Sequence, residues 1–378
     1  MAATSPPLTS TQPSKNITHN SCVKLLVHNS NLQSIPSNFA FINDPTACTA
    51  DSLPTVDFSL LTSTDLDQRS KAIHLLGKAC EEWGFFVLVN HGIPETLLKG
   101  IIDASWEYYE LPEEEKHRYE AKTPLDPIKT GSGNLVNNTN QRVQLWRDFV
   151  KTYVHPEFHC PPKPQILRDI LFEFSEKTRL VARKLIQGVG ENLGFEEGYI
   201  DEALEMDSMF QVFAANFYPR CPHPEQAIGI PSHTDPGLFT FLIHNGVDGL
   251  QIEHDGWWFN ADSPPNSILV VVGDHLEVHM AGCTIYLLNL KTSQPYIFSN
   301  GRCKSVNHKA VLNSERDRVS IVVSHGPSRE TVVGPAAPLV QKDGRAVYRS
   351  MKYKDYMEWL QTKSRLNGQS MLEQQRII

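Results

Sequence analysis

From about Met209 to Val333 the chain runs in short β-prone stretches separated by Gly, Pro, Asn and Asp, and nothing else in the sequence restricts the fold as much. The runs are Phe210 to Tyr218, Phe239 to Ile243, Leu250 to Glu253, Ser267 to Val272, Lys304 to Ala310 and Val319 to Ser324. Many short strands at such spacing predict a sandwich or jelly roll, and no repeat of fixed period accompanies them.

The flanks read differently. Leu53 to Phe58 predicts a short strand, and Leu66 to Trp83 predicts a helix, because Ile73, Leu76, Cys80 and Trp83 share one helical face. Gly84 ends that helix and Phe85 to Val89 is a compact strand. Leu98, Ile101, Ile102 and Ser105 mark a second amphipathic helix. Gly131, Gly133 and the Asn-rich run to Asn140 read as a polar loop, and a cluster of prolines precedes a long helix from Gln165 to Leu193. Tyr353, Tyr356, Met357 and Leu360 predict a closing helix. The chain therefore divides into a flexible tail with a short lead-in helix (1–50), an α-rich region (51–160), backing helices (161–208), the β region (209–335) and a C-terminal helical segment (336–378). The fold class is mixed α and β.

Composition narrows the function. The 378 residues are 40% hydrophobic, enough for a sizeable core, and the net charge of -8 is spread without a long basic run, which argues against nucleic acid and for a small-molecule partner. Seven cysteines with no C-x-x-C pair argue against a disulfide framework and a zinc ribbon, and for a reducing compartment. No apolar run approaches the roughly 18 to 20 residues that span a bilayer, so no membrane association is expected. The first twenty residues are half Ser, Thr and Pro and no acid precedes Asp44, a bias compatible with a plastid transit peptide; the absence of Arg there favours a solvated tail. A cytoplasmic protein and a monomer are expected.

Ser232-His233-Thr234-Asp235 carries the strongest chemical signal, because residues i and i+2 of an extended chain point the same way and can grip one ion. His308, on a later β-prone run, is a candidate third ligand, and two imidazoles with one carboxylate are the ligand set of non-haem iron(II) oxygenases. Ordinary buried or surface histidine is the competing reading. Three H-x-E pairs also compete (His155 with Glu157, His223 with Glu225, His275 with Glu277), and structural or surface roles are expected for them, as for His244, His254 and His279. Arg318-Val319-Ser320 places two polar side chains on one face of an apolar strand, where an inward guanidinium needs an anion such as a carboxylate. A surface Arg is the alternative. Tyr218 is able to donate to the same anion, or to serve as a core tyrosine.

In order, the segments PTVDF, WGFFVLVNHGIP, NFYPRCPHPE, HTDPGLFT, DGLQI, LVVVGDHLE, SNGRCKSVNHKAVLN and RVSIVVSHGP closely resemble the plant iron(II)/2-oxoglutarate-dependent dioxygenases, over roughly residues 53 to 335. The endings SHGPS and MKYKDYMEWLQ resemble the flavanone 3-dioxygenase-like and salicylate hydroxylase-like group. The resemblance implies a distorted double-stranded β-helix, a cupin-like jelly roll, with flanking helices. It implies that His233, Asp235 and His308 ligate Fe(II), that Arg318, Ser320 and Tyr218 bind the distal carboxylate of 2-oxoglutarate, and that Asn216 supports that end. The implied chemistry consumes O₂ and 2-oxoglutarate, releases succinate and CO₂, and begins with hydrogen removal from the substrate; hydroxylation, desaturation and demethylation all remain open. Ascorbate is the implied reductant. The alternatives are a catalytically silent binding protein and an ascorbate-dependent oxidase of the same architecture.

Aromatic walls suit a planar phenolic or other apolar scaffold, and the residues expected to select it are Trp146, Phe149, Tyr153, Phe213, Ala214, Ser324 and His325, with a core role as the alternative. One block departs from the family pattern. Val278 to Ile297 lies between a GDHLE-like strand end and an SNGR-like turn that family members join almost directly, and it stretches the His233 to His308 separation to 75 residues. It reads as a retained intron or displaced exon boundary rather than a functional lid, with poor order expected.

Overall fold

The computed structural model describes residues 22–29, 32–42, 47–48, 53–123, 125–136, 142–277, 299, 302–334, 340–342 and 350–362. The first half contains α1 (Val23–Asn29), β1 (Thr55–Asp57), α2 (Phe58–Leu61), α3 (Leu66–Glu82), β2 (Phe85–Val89), α4 (Glu95–Glu110), α5 (Glu113–His117), β3 (Ile128–Val136), β4 (Arg142–His155), α6 (Gln165–Asn192) and α7 (Tyr199–Ala203). The β-rich half contains β5 (Phe210–Tyr218), β6 (Ile230–His233), β7 (Phe239–His244), β8 (Leu250–His254), β9 (Trp257–Asn260), β10 (Ile268–Val272), α8 (Asp274–Glu277), β11 (His308–Ala310), β12 (Arg318–Gly326), β13 (Val332–Val333), β14 (Met351–Lys352) and the closing helix α9 (Tyr353–Thr362).

Eight strands form the larger sheet in the order β1-β2-β10-β7-β12-β5-β4-β3, and β6-β11-β8-β9 form a smaller one. Side chains alternate along each strand, so the larger sheet sorts its residues onto two faces. Phe213, Ala215 and Phe217 of β5 and Val319, Ile321 and Val323 of β12 join Ile73 and Leu76 of α3, Leu98 and Ile101 of α4 and Leu185 of α6 in one core. The other face turns Leu242, Leu269 and Val271 toward Leu250 and Ile252 of the smaller sheet. This is the jelly-roll core with flanking helices that the family resemblance implies, one of the two architectures the strand spacing leaves open. Among the described residues no helix is long and apolar enough to cross a membrane.

Helix boundaries follow local chemistry. Asp65 caps α3 by accepting from the backbone of Asp67 and Gln68. Gly84 ends it at a φ of +65°, where a Cβ would lie 2.2 Å from the carbonyl oxygen of Lys304. Two sequence expectations fail. The Gly131–Gly133 stretch is not a loop but edge strand β3, paired with β4 through a register shift between Ser132 and Asn134. Of the Lys304–Ala310 run only His308–Ala310 is strand; Lys304 and Ser305 instead bond to Cys80 O and to the Glu277 and Asp274 carboxylates.

The Val278–Ile297 block and Phe298 lie outside the described residues, whereas Glu277 before them and Ser299 after them are described. Ser299 Oγ donates to Leu276 O at 2.5 Å and to Glu277 O at 2.9 Å, so the chain on either side already meets. A variant lacking residues 278–297, with Glu277 joined to Phe298, is therefore expected to fold and to bind metal as the full chain does, since a short bridge between adjacent ends strains nothing. Circular dichroism and calorimetry on the two proteins check this, and a deletion variant that does not fold would contradict it.

Candidate active site

Pairing of β6 with β11 sets His233 directly opposite His308, with ring centroids 4.2 Å apart. Two residues past His233, the Asp235 carboxylate reaches both: Oδ1 lies 3.7 Å from His233 Nε2 and Oδ2 lies 3.5 Å from His308 Nε2. Among the described residues this is the cluster of His, Cys, Asp and Glu whose ligand atoms converge, all within 4.8 Å of one another. His233 Nδ1 sits 2.9 Å from Pro231 O and His308 Nδ1 3.1 Å from Val306 O. A carbonyl only accepts, so each Nδ1 carries the proton and each Nε2 presents a lone pair toward Asp235. Lone pairs gathered in this way repel unless a cation lies among them. The donor set thus fits a ferrous ion held on one face with its other positions open. Burial, and next the neighbouring His308, push His233 down to about 4, which keeps it in the neutral form that ligation requires.

The competing histidines have other occupations. His223 forms a surface pair with Glu225 at 3.4 Å, and His155 Nδ1 donates to Met209 O at 2.5 Å. His254 stacks on Trp83 at 3.8 Å, while His275 packs edge-on between Tyr353 and Tyr356. His279 lies outside the described residues.

Beside the cluster, β12 pairs with β5 so that Arg318 faces Tyr218 and Ser320 faces Asn216. All four are buried. Arg318 Nε donates to Val247 O at 3.0 Å and the guanidinium lies 5.1 Å from the Tyr218 ring centroid; among the described residues none of its hydrogen-bond partners is a carboxylate, and Asp248 acts on it only through space. Burial lowers its pKa from the ordinary arginine value, the signature of a charge lacking full compensation. A dicarboxylate docking one end here supplies the missing anion in the fork geometry guanidinium prefers. Gly249 makes room for the Arg318 side chain: at a φ of +155° its Cβ would lie 3.0 Å from Arg318 Cδ and 2.9 Å from Val311 O. Gly249→Ala is expected to cost about 1–3 kcal/mol of stability and to weaken 2-oxoglutarate binding while sparing metal affinity. Calorimetry with both ligands reads the two effects separately; equal losses for metal and cosubstrate would contradict this placement.

Residues 209–327 match the 2OG-Fe(II) oxygenase superfamily, and residues 53–169 match the region described as non-haem dioxygenase in morphine synthesis N-terminal. The chain belongs to the 2-oxoglutarate and iron(II)-dependent oxygenases. It is similar to 2-oxoglutarate-dependent dioxygenase 19 of Oryza sativa subsp. japonica, with 42% identity covering 89% of this chain and 93% of the relative. Flavanone 3-dioxygenase 2 of the same species is 32% identical over 80% of this chain and 82% of its own. A solved structure of JOX2 in complex with 2OG, Fe and JA superposes with a TM-score of 0.75 at 25% identity, covering 94% of this chain and 97% of that one. Iron(II) and 2-oxoglutarate are thus the cofactor and cosubstrate of this oxygenase.

The oxygenase cavity has a volume of about 420 Å³ and is lined by both sheets. Alternation decides its membership. Ala214, Asn216 and Tyr218 of β5, Ser320 and Val322 of β12, and Phe149 of β4 face it, together with His233, Asp235 and His308. Five residues expected at the substrate do not line it. Phe213 lies one residue out of phase with Ala214 and packs into the helix-covered core. Trp146, also out of phase with Phe149, is buried against Phe39 and donates from Nε1 to Pro219 O. Tyr153 lies beyond the cavity under α9, against Phe210. Ser324 Oγ donates to Pro236 O, and His325 is enclosed between Gln211 and Phe239 O on the helix side. Sequence reasoning missed Arg147, Lys151, Lys129 and Lys309, which do line the cavity. The signal was available: Arg147 and Lys151 flank Phe149 at two-residue spacing.

Proposed function

We propose that this oxygenase hydroxylates a small, largely apolar plant metabolite of the phenolic or flavonoid kind. For each C–H bond converted to C–OH, one O₂ and one 2-oxoglutarate are consumed and one succinate and one CO₂ released. When bound, iron(II) supplies the oxidising chemistry. His233, Asp235 and His308 would hold it, their tautomers set by the Pro231 and Val306 carbonyls. Arg318 and Ser320 would grip the distal carboxylate of 2-oxoglutarate, with Asn216 Nδ2 donating to Ser320 Oγ at 3.5 Å to orient that hydroxyl. Leu242, Leu250, Val271 and Val322 form an apolar wall that excludes water from the substrate side.

The observation that carries this reading is the convergence of a two-histidine, one-carboxylate cluster and a buried arginine on one cavity. The names of the relatives, flavonol synthase 1 of Crocosmia x crocosmiiflora among them, support the substrate class. The test is mass-spectrometric screening of phenolics and flavonoids with iron, 2-oxoglutarate, O₂ and ascorbate. A product heavier by one oxygen, formed with succinate, is expected. A panel that leaves all phenolics unchanged while another class is oxidised would overturn the substrate assignment.

A further inference from the structure

Arg147, Phe149 and Lys151 follow one another on the cavity side of β4, and β3 sets Lys129 directly opposite Lys151. Lys129 also feels the Asp126 carboxylate and its Nζ lies 5.7 Å from the Tyr153 ring centroid. Arg147 is held in place on three sides. Its Nη1 donates to Asn216 Oδ1 at 3.3 Å, its guanidinium lies 5.2 Å from the Phe149 ring centroid, and its Nη2 rests so close to Gly133 that a Cβ there would approach to 3.0 Å. Its Nε is buried with no hydrogen-bond partner among the described residues. The adjacent carboxylate is engaged elsewhere: Asp148 points to the other face and accepts from the backbone of Val23 at 2.9 Å and of Lys24 at 2.8 Å.

The balance of charge across the cavity is one-sided. Lys129, Arg147, Lys151, Lys309 and Arg318 line it against Asp235 as the one acid among the lining residues. Iron(II) and the 2-oxoglutarate dianion carry equal and opposite charges, so their arrival leaves the excess in place. Arg318 belongs to the cosubstrate, and Lys309 Nζ lies 4.3 Å from the Trp258 ring centroid. The other three cationic lining residues, Lys129, Arg147 and Lys151, lie along β3 and β4.

We propose that Arg147, with Lys151 and Lys129, forms an anion subsite, and that the substrate is an apolar carboxylic acid whose carboxylate docks there. The Arg147 fork takes the carboxylate, the two lysines attract it toward the mouth, and the apolar wall receives the scaffold. This rests on the oxygenase reading above and narrows it: within the phenolic class it selects acids over neutral flavonoids.

The test is calorimetry under saturating 2-oxoglutarate with redox-inert Mn(II) in place of iron, so that binding is read without turnover. The probes are 4-hydroxycinnamate, 3-phenylpropanoate and 1-naphthoate, each beside its methyl ester. At least one acid is expected to bind about tenfold or more tightly than its ester. That preference disappears in Arg147→Gln, survives in part in Arg147→Lys, and loses much of its salt dependence in the Lys129→Gln, Lys151→Gln double variant. Esters that bind as well as acids, no binding by any acid, or a preference that persists in Arg147→Gln would each overturn the subsite. Titrating 2-oxoglutarate into the same samples separates the two levels. If 2-oxoglutarate fails to bind the unaltered protein, the oxygenase reading fails; if it binds and the acid preference is absent, the subsite alone is wrong.

Discussion

Asp235→Ala should abolish iron binding and turnover while leaving the fold intact. The carboxylate lies between the two imidazoles, 3.7 Å from one and 3.5 Å from the other, and its removal leaves two neutral nitrogens to hold a labile ferrous ion. Loss of an outer-shell partner alone costs roughly 10–100-fold in metal affinity, so loss of a direct ligand should exceed that. His233→Ala and His308→Ala should behave alike, because neither remaining pair occupies three positions on one face of the ion. The metal-free protein gathers lone pairs here, so Asp235→Ala relieves a repulsion, while His233→Ala and His308→Ala each give up one hydrogen bond to a backbone carbonyl, about 0.5–1.5 kcal/mol, a loss the fold should survive. Anaerobic titration of Fe(II), with circular dichroism as the folding control, measures this. Undiminished affinity in two of the three variants would dismantle the assignment.

Arg318→Lys should raise the 2-oxoglutarate dissociation constant by roughly 10–150-fold, the range expected when charge-assisted hydrogen bonds worth about 1.5–3 kcal/mol are lost. An ammonium keeps the charge but not the planar fork, and from a fully enclosed position it has no route to solvent. Iron affinity should hardly move, since Arg318 contributes no ligand atom to the cluster. Cosubstrate titrations at fixed Mn(II) give the answer, and an unchanged dissociation constant would remove Arg318 from the site.

Much of this site is legible in the sequence because strands obey a two-residue period. His233 and Asp235 are two apart, as are Arg318 and Ser320, and both pairs converge on the cavity. That His233 would stand opposite His308 was not legible, because β6 carries a proline and sits among weak strand formers, and its pairing is set by contact across 75 residues. Strand β3 escaped notice for a related reason. Its glycines have low strand propensity, but Gly133 lies where a side chain would strike Leu145 and Arg147. The substrate residues fared worst. Trp146 and Phe213 have the aromatic character a substrate wall needs, but their phase relative to Phe149 and Ala214 turns them away from the cavity. Tyr153, Ser324 and His325 lie away from the cavity, a consequence of tertiary packing that local pattern does not reveal.

The central claim is that the His233, Asp235 and His308 cluster and the Arg318 pocket act together on iron and 2-oxoglutarate, and its most direct measure is the ratio of succinate formed to substrate oxidised by the iron-loaded protein. One succinate per oxidised substrate is predicted, with both products lost in Asp235→Ala. Substrate oxidation that proceeds without succinate, driven by ascorbate alone, would contradict the account.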